Sequence, residues 1–212
     1  NPLIICGGNH VSVSPREFIK IGADYAILGE GEQAIEKIIN FEYCHSGENL
    51  NECSNICTKN TPAYFALKPC AEIAGNGIVT PDWSLFNLHK YNENIHMNKD
   101  SYALPIMASR GCPFKCDFCS THLTWTTQVR YRKAIDVVNE IKWGISDFHF
   151  YDDNLLINFA WVSEFVNLIG SMNLKINWIC LSRPDIILKH KELLLLMKAA
   201  GCKGFELGFE TD

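Results

Sequence analysis

Arg110-Gly111-Cys112-Pro113-Phe114-Lys115-Cys116-Asp117-Phe118-Cys119-Ser120 is the stretch that decides how the rest of the chain is read. Its three cysteines stand at C-x3-C-x2-C spacing, directly after a short apolar run, Leu104 to Ala108, that reads as a strand. Three thiolates on one tight loop can hold three irons of a cubane iron–sulfur cluster, because soft sulfur ligands suit iron. A full protein cage would take four. The missing fourth ligand leaves one iron open, and an open metal position is where a substrate or cosubstrate binds. A zinc site is the alternative. It would normally want four Cys or His ligands, and no second pair lies nearby, although His122 follows within three residues. Three cysteines so close together do not suit a structural disulfide.

Length and composition set the bounds. At 212 residues with an apolar share of 47%, the chain can bury one or two cores. A net charge of −5 without a long basic block gives nucleic-acid binding little electrostatic support. No run of about 18 apolar residues implies a membrane span. No charged start with an apolar core gives a secretory address. Ten cysteines are many for this length, and without a sign of secretion metal or cluster use accounts for them better than a disulfide framework. We therefore expect a soluble, cytoplasmic α/β protein under reducing conditions. The chain opens and closes on strand-like runs, so we expect further sequence on both sides.

Residues 1–42 alternate strand and helix. Leu3 to Cys6 is a continuous apolar run, as in a strand buried on both faces, and it stops at Gly7-Gly8. Ser14, Pro15 and Glu17 read as N-cap, first helical position and capping box, with Gly22 at the left-handed C′ position. Tyr25 to Leu28 is a second buried strand, followed by the turn Gly29-Glu30-Gly31-Glu32 and a helix with Ala34, Ile35, Ile38 and Ile39 as its apolar stripe. Strand–helix–strand–helix implies a parallel doubly wound sheet, which binds ligands at the carboxyl ends of its strands. Both glycine turns lie at such ends; the plain alternative is that they only permit tight turns.

Residues 43–102 read as a linker with no sustained helical or strand period. Cys44, Cys53, Cys57 and Cys70 fall there at spacings that fit no zinc pattern, and we expect free thiols. From 103 to 212 one pattern repeats. A helix stripe of Ala134, Val137, Val138 and Ile141, closed by Gly144, leads to the strand Asp147–Tyr151, which ends in Asp152-Asp153-Asn154. A helix lined by Trp161, Phe165, Leu168 and Ile169 leads to the strand Ile176–Leu181, which ends in Ser182-Arg183-Pro184-Asp185. A helix from Leu193 to Ala200, stopped by Gly201, leads to the strand Gly204–Phe209, ending at Glu210, with Glu206 as a candidate barrel-interior group. With the strand before the cysteines this makes four β units joined by crossovers long enough to be parallel. Such an array curls into a full or partial barrel whose chemistry sits at the carboxyl ends of its strands. Here those ends carry cysteines or charged and polar groups, which suits a cofactor with an ammonium, a carboxylate and a ribose diol. For any one of them the plain alternative is a helix N-cap.

The cysteine spacing, with Phe118 just before the last cysteine, resembles the radical S-adenosylmethionine superfamily. There the cosubstrate chelates the open iron of a 4Fe-4S cluster and is cleaved to methionine and a 5′-deoxyadenosyl radical. The resemblance implies Cys112, Cys116 and Cys119 as cluster ligands, Asp152 and Asp153 near the cosubstrate's amino group, Ser182, Arg183 and Glu210 near ribose and carboxylate, and Phe118 beside adenine. Arg130-Tyr131-Arg132 matches a basic element that follows the cysteine loop in cobalamin-type members. Residues 1–42 look like the second half of a cobalamin-binding domain, with Gly7, Gly8, Gly29 and Gly31 as contacts. Residues 78–91, from Ile78 through Pro81-Asp82-Trp83 to Tyr91, resemble the connector of that class. The implied architecture is half of a flavodoxin-like cobalamin domain followed by the first four β/α units of a partial TIM barrel. The implied chemistry is methyl transfer, ring formation or rearrangement on a small molecule, with electrons from a donor such as flavodoxin or ferredoxin. The rival is a non-catalytic iron–sulfur or zinc module for electron transfer; the charged strand ends speak against it, since electron transfer needs no cosubstrate pocket.

Overall fold

The computed structural model describes residues 2–44, 47, 49–50, 53–63, 65–68, 78–87, 103–125, 127–141 and 146–208. The chain divides into two compact units, Asn1–Ala74 with Gly111–Val129, and Gly75–Arg110 with Arg130–Asp212.

In the first unit the order is β1 (Ile5–Cys6), α1 (Asn9–Val13), α2 (Pro15–Lys20), β2 (Tyr25–Ile27), α3 (Glu32–Tyr43) and β3 (Ile56–Cys57). The sheet runs β1-β2-β3, with β1 parallel and β3 antiparallel to β2. The central strand is buried throughout and feeds two cores. Tyr25 and Ile27 pack with Ala34, Ile38, Leu50 and Ile56; Ala26 and Leu28 pack with Val11 and Cys57. The expectation that the first strand is buried on both faces does not hold: Ile4 is 47% and Ile5 36% exposed, because β1 is the sheet edge among the described residues. The linker reading likewise missed β3, two residues too short to show a period. Cys44, Cys53 and Cys57 are in no disulfide; Cys70 lies outside the described residues.

Local signals in this unit held unevenly. Pro15 opens α2, but Ser14 makes no side-chain cap bond, so the capping box does not form. Ser14 also closes α1, its N–H donating to His10 O at 2.9 Å, and Glu17 lies 3.8 Å from His10 Nε2 instead. Gly22 takes φ +114° past the end of α2. Its N–H donates to Ile19 O and that of Ala23 to Phe18 O, the paired bonds that end a helix on a left-handed glycine. In α3, Ala34 and Ile38 are buried while Ile35 and Ile39 are 43% and 45% exposed, a narrower stripe than expected.

The second unit is built on four parallel strands, β4 (Ala103–Ile106), β7 (Asp147–Phe150), β8 (Asn177–Ser182) and β9 (Cys202–Leu207), in that spatial order. A separate antiparallel pair, β5 (Ser109–Arg110) with β6 (Arg130–Tyr131), stands beside it in sequence. Helices α5 (Ala134–Ile141), α6 (Phe159–Ser171), α7 (Pro184–Lys189) and α8 (Lys191–Ala199) complete the unit. The expected stripe of α5 is buried in full; in α6, Trp161, Phe165 and Ile169 are buried, joined by Val162 and Val166, with Leu168 half-buried. Phe150, Phe165 and Trp178 form an edge-to-face triangle with centroids 5.4–5.6 Å apart, a geometry favoured by ring quadrupoles. One face of the sheet, carrying Phe148, Phe150, Trp178 and Cys180, is therefore the helix-covered face.

Glycine ends α8 for a steric reason. Gly201 takes φ +91°, and a Cβ there would sit 1.9 Å from Ile176 O. Gly144, Phe209 and Glu210 lie outside the described residues.

Candidate functional site

The cysteine loop belongs to the first unit. Gly111 enters it at φ +101°, Cys119 N–H donates to Cys116 O at 3.0 Å, and α4 (Thr121–Thr124) follows at once and lies against α1. None of the three cysteines is in a disulfide and all are half-buried, and Phe118 is 68% exposed. Among the described residues no three His, Cys, Asp or Glu side chains gather around a single ion position. The donor set, three cysteines in no disulfide on one short loop, fits a cluster that gives each thiolate its own iron.

The glycine turns divide into two kinds. At Gly7 and Gly8 an added Cβ would meet nothing within 4 Å, so the backbone after β1 borders open space. Gly29 donates its N–H to Ser12 Oγ at 2.9 Å, and a Cβ at Gly31 would touch Ile35 and Ile27 at 3.8 and 3.9 Å. The first turn fits a ligand cradle; the second is occupied with its own turn and packing.

In the second unit the strand ends sort by parity. Beyond β7, Tyr151 is 43% exposed, Asp152 1%, Asp153 exposed and Asn154 2%. Asp152 continues the alternation of Phe148 and Phe150 on the helix-covered face. Ala108 N–H donates to its Oδ2 at 3.0 Å and Ser109 Oγ–H to its Oδ1. Burial pushes this carboxyl up to about 6, against the lowering effect of the bonds from Ser109 and Ala108. Asp152, expected beside Asp153 as a cosubstrate contact, is thus committed to the strand that precedes the cysteine loop. Ser182 shares the face of Trp178 and Cys180; it is 5% exposed and donates to Asn154 Oδ1 at 3.3 Å. Arg183 is half-exposed and its Nε holds Asp185 Oδ1 at 2.9 Å, which lowers the Asp185 carboxyl. Glu210 lies outside the described residues.

Arg130-Tyr131-Arg132 proves to be a structural anchor. Arg132 is 3% exposed; its Nη1 donates to Met107 O at 3.1 Å and its Nη2 to Thr80 Oγ1 at 2.7 Å. It forms a buried ion pair with Glu140, which accepts from Trp83 Nε1 at 2.8 Å. Tyr131 Oη donates to Leu155 O at 3.2 Å.

Two further features go beyond the reading of the sequence, which had Glu206 only as a candidate barrel-interior group. On the face opposite the helices, His149 Nε2 lies 3.6 Å from Glu206 Oε2 across β8, and its ring is 4.1 Å from that of Tyr151. Register explains the reach: Trp178 pairs with Cys202 and Ile179 with Gly204, so Lys203 is an extra residue that resets the alternation of β9. Asn154 is the other, a buried amide whose nitrogen finds no partner among the described residues; alternation along β7 was the available signal for both Asn154 and Asp152. Cys180 and Cys202 are pushed up by burial, Cys202 to about 11, and so stay protonated.

A parallel α/β sheet with a three-cysteine loop following its first strand defines a class. The proteins this chain is similar to are members of the radical S-adenosylmethionine superfamily, in the class with a cobalamin-binding domain. It is 29% identical over 193 residues to the anaerobic magnesium-protoporphyrin IX monomethyl ester cyclase of Synechocystis, covering 89% of this chain and 37% of that protein. It is 25% identical to the cytidylyl-2-hydroxyethylphosphonate methyltransferase of Streptomyces wedmorensis, covering 97% of this chain and 44% of that one. The fold matches the radical S-adenosylmethionine methyltransferase TsrM of Kitasatospora setae, solved with tryptophan and a cosubstrate analogue, at a TM-score of 0.70 and 18% identity, over 97% of this chain and 41% of that one. A second structure of TsrM holds cobalamin and a [4Fe-4S] cluster. No protein-family model matches the chain. The chain spans well under half the length of these curated relatives.

Proposed function

We propose that this chain carries the cluster loop and part of the cosubstrate site of a cobalamin-dependent radical S-adenosylmethionine enzyme that performs methyl transfer or ring formation on a small molecule. The observation that carries the reading is the loop itself: three half-buried cysteines, in no disulfide, at C-x3-C-x2-C spacing, a few residues after β4 of a parallel sheet. The relatives support it, since they are a cyclase and methyltransferases. When bound, the cluster and S-adenosylmethionine would supply one-electron cleavage of a sulfonium, with reducing equivalents from a flavodoxin- or ferredoxin-like donor.

The chain's own residues bind and orient. Cys112, Cys116 and Cys119 hold iron. Asp153 and Arg183, on the exposed side of their strand ends, offer a carboxylate and a guanidinium to the cosubstrate's ammonium and carboxylate, with Glu210 and Ser182 as further polar groups and Phe118 as an apolar surface for adenine. Gly7 and Gly8 let the backbone approach cobalamin. The reading assigns 1–42 to a cobalamin domain, 43–102 to a connector and 103–212 to the radical core.

Anaerobic reconstitution tests the proposal. We expect roughly four irons per chain, and reductive cleavage of S-adenosylmethionine to 5′-deoxyadenosine in the intact protein. Cys112→Ala, Cys116→Ala or Cys119→Ala should abolish both, while Cys44→Ala and Cys53→Ala should not. Stoichiometric zinc in an oxygen-free preparation, with no iron uptake, would overturn it.

A further inference from the structure

The segment that enters the cysteine loop and the one that leaves it are bound to each other and to the parallel sheet of their unit. Ser109 pairs with Tyr131 and Arg110 with Arg130. Ala108 O accepts from Arg132 N–H at 2.8 Å and Met107 O from Arg132 Nη1. From the other side the Asp152 carboxylate takes the Ala108 N–H and the Ser109 hydroxyl, while Tyr151 N–H, one residue earlier, donates to Ile106 O at 2.8 Å. All four residues from Met107 to Arg110 are thus held, Ala108 and Ser109 of them from both sides, and Cys112 follows two residues later.

We propose that Asp152 is a positioning residue of the iron–sulfur loop: with Arg132 it forms a collar that fixes Met107–Arg110 and thereby the departure of the loop before any iron is bound. The proposal rests on the cysteines being cluster ligands. The physical argument is one of chain entropy. A loop with little regular structure of its own loses conformational freedom when its thiolates converge on a metal, and less is lost if its two ends are already fixed. A carboxylate suits the task because it accepts from several donors at once, and a bond to a charged group is worth more than a neutral one.

The test uses the intact protein without metal and then reconstituted. In the metal-free protein, Asp152→Asn should raise amide hydrogen exchange at Ala108 and Ser109 about tenfold or more, the loss expected for a hydrogen bond to a charge. Asp153→Asn should leave it unchanged and weaken S-adenosylmethionine binding after reconstitution. Loaded with iron, the Asp152→Asn protein should give a heterogeneous electron paramagnetic resonance signal in the reduced state, a signature that mere loss of stability would not produce. If Asp152→Asn does not fold, Ser109→Ala removes one of the same bonds and should give a smaller rise in exchange at Ala108. Unchanged exchange in a folded Asp152→Asn protein, or a uniform cluster signal with only cosubstrate affinity reduced, overturns the proposal. Failure of the wild-type protein to take up iron overturns the functional reading, and the exchange result still decides whether the collar exists.

Discussion

Removing the charge of Glu140 should be among the most damaging single changes in the second unit. Glu140 and Arg132 are 1% and 3% exposed at their side chains, so the pair is out of reach of solvent screening. Glu140→Gln keeps an oxygen for the Trp83 indole but leaves the Arg132 guanidinium buried with, among the described residues, Met107 O and Thr80 Oγ1 as its acceptors. An uncompensated buried charge costs about 3–5 kcal/mol, and we expect about 3 kcal/mol here because those two bonds survive. Arg132→Met should cost as much, since it leaves the carboxylate alone. The double variant Arg132→Met/Glu140→Leu should lie within about 2 kcal/mol of wild type, because well-packed apolar groups commonly replace a buried ion pair at little net cost. Urea unfolding followed by circular dichroism and by indole fluorescence measures all three in one double-mutant cycle. Single substitutions costing less than about 1 kcal/mol, or a double variant costing the sum of the singles, would refute the reasoning.

Asp152 should leave a mark on the pH dependence of stability. Its carboxyl is raised from 3.8 to about 6 in the folded chain, so the folded state binds its proton more tightly than the unfolded state. Its contribution is present below pH 4 and is lost as pH rises through 6, a difference of about 1.4 kcal/mol between pH 5 and pH 7.5. Urea titrations should show this as a wild-type slope that Asp152→Asn lacks; equal slopes would refute it. Gly201→Ala should destabilise by about 3 kcal/mol or more, from a positive φ and a clash with Ile176 O, whereas Gly204→Ala, with nothing within 4 Å of the added Cβ, should shift the thermal midpoint by no more than a few degrees. Gly7→Val should lower hydroxocobalamin binding by the intact protein, measured by equilibrium dialysis, while leaving the thermal midpoint unchanged; retention of wild-type affinity would remove Gly7 from the cradle.

What could be read from the sequence was what local chemistry dictates. The cysteine spacing needs no tertiary context to name its donors. The buried stripe of α5 follows from a 3.6-residue period, and Gly22 and Gly201 mark helix ends because left-handed backbone costs other residues a clash. Tertiary structure alone decided which of two adjacent carboxylates is buried. Asp152 and Asp153 are chemically identical, but the pleat of β7 turns one towards the helix-covered face and the backbone of Ala108, and leaves the other exposed. It decided likewise that Arg132 is a buried anchor, since only folding brings Glu140, Thr80 and Met107 around it. An extra residue at Lys203 placed Glu206 within reach of His149. Partners distant in sequence are chosen by register and packing, and no local period encodes them.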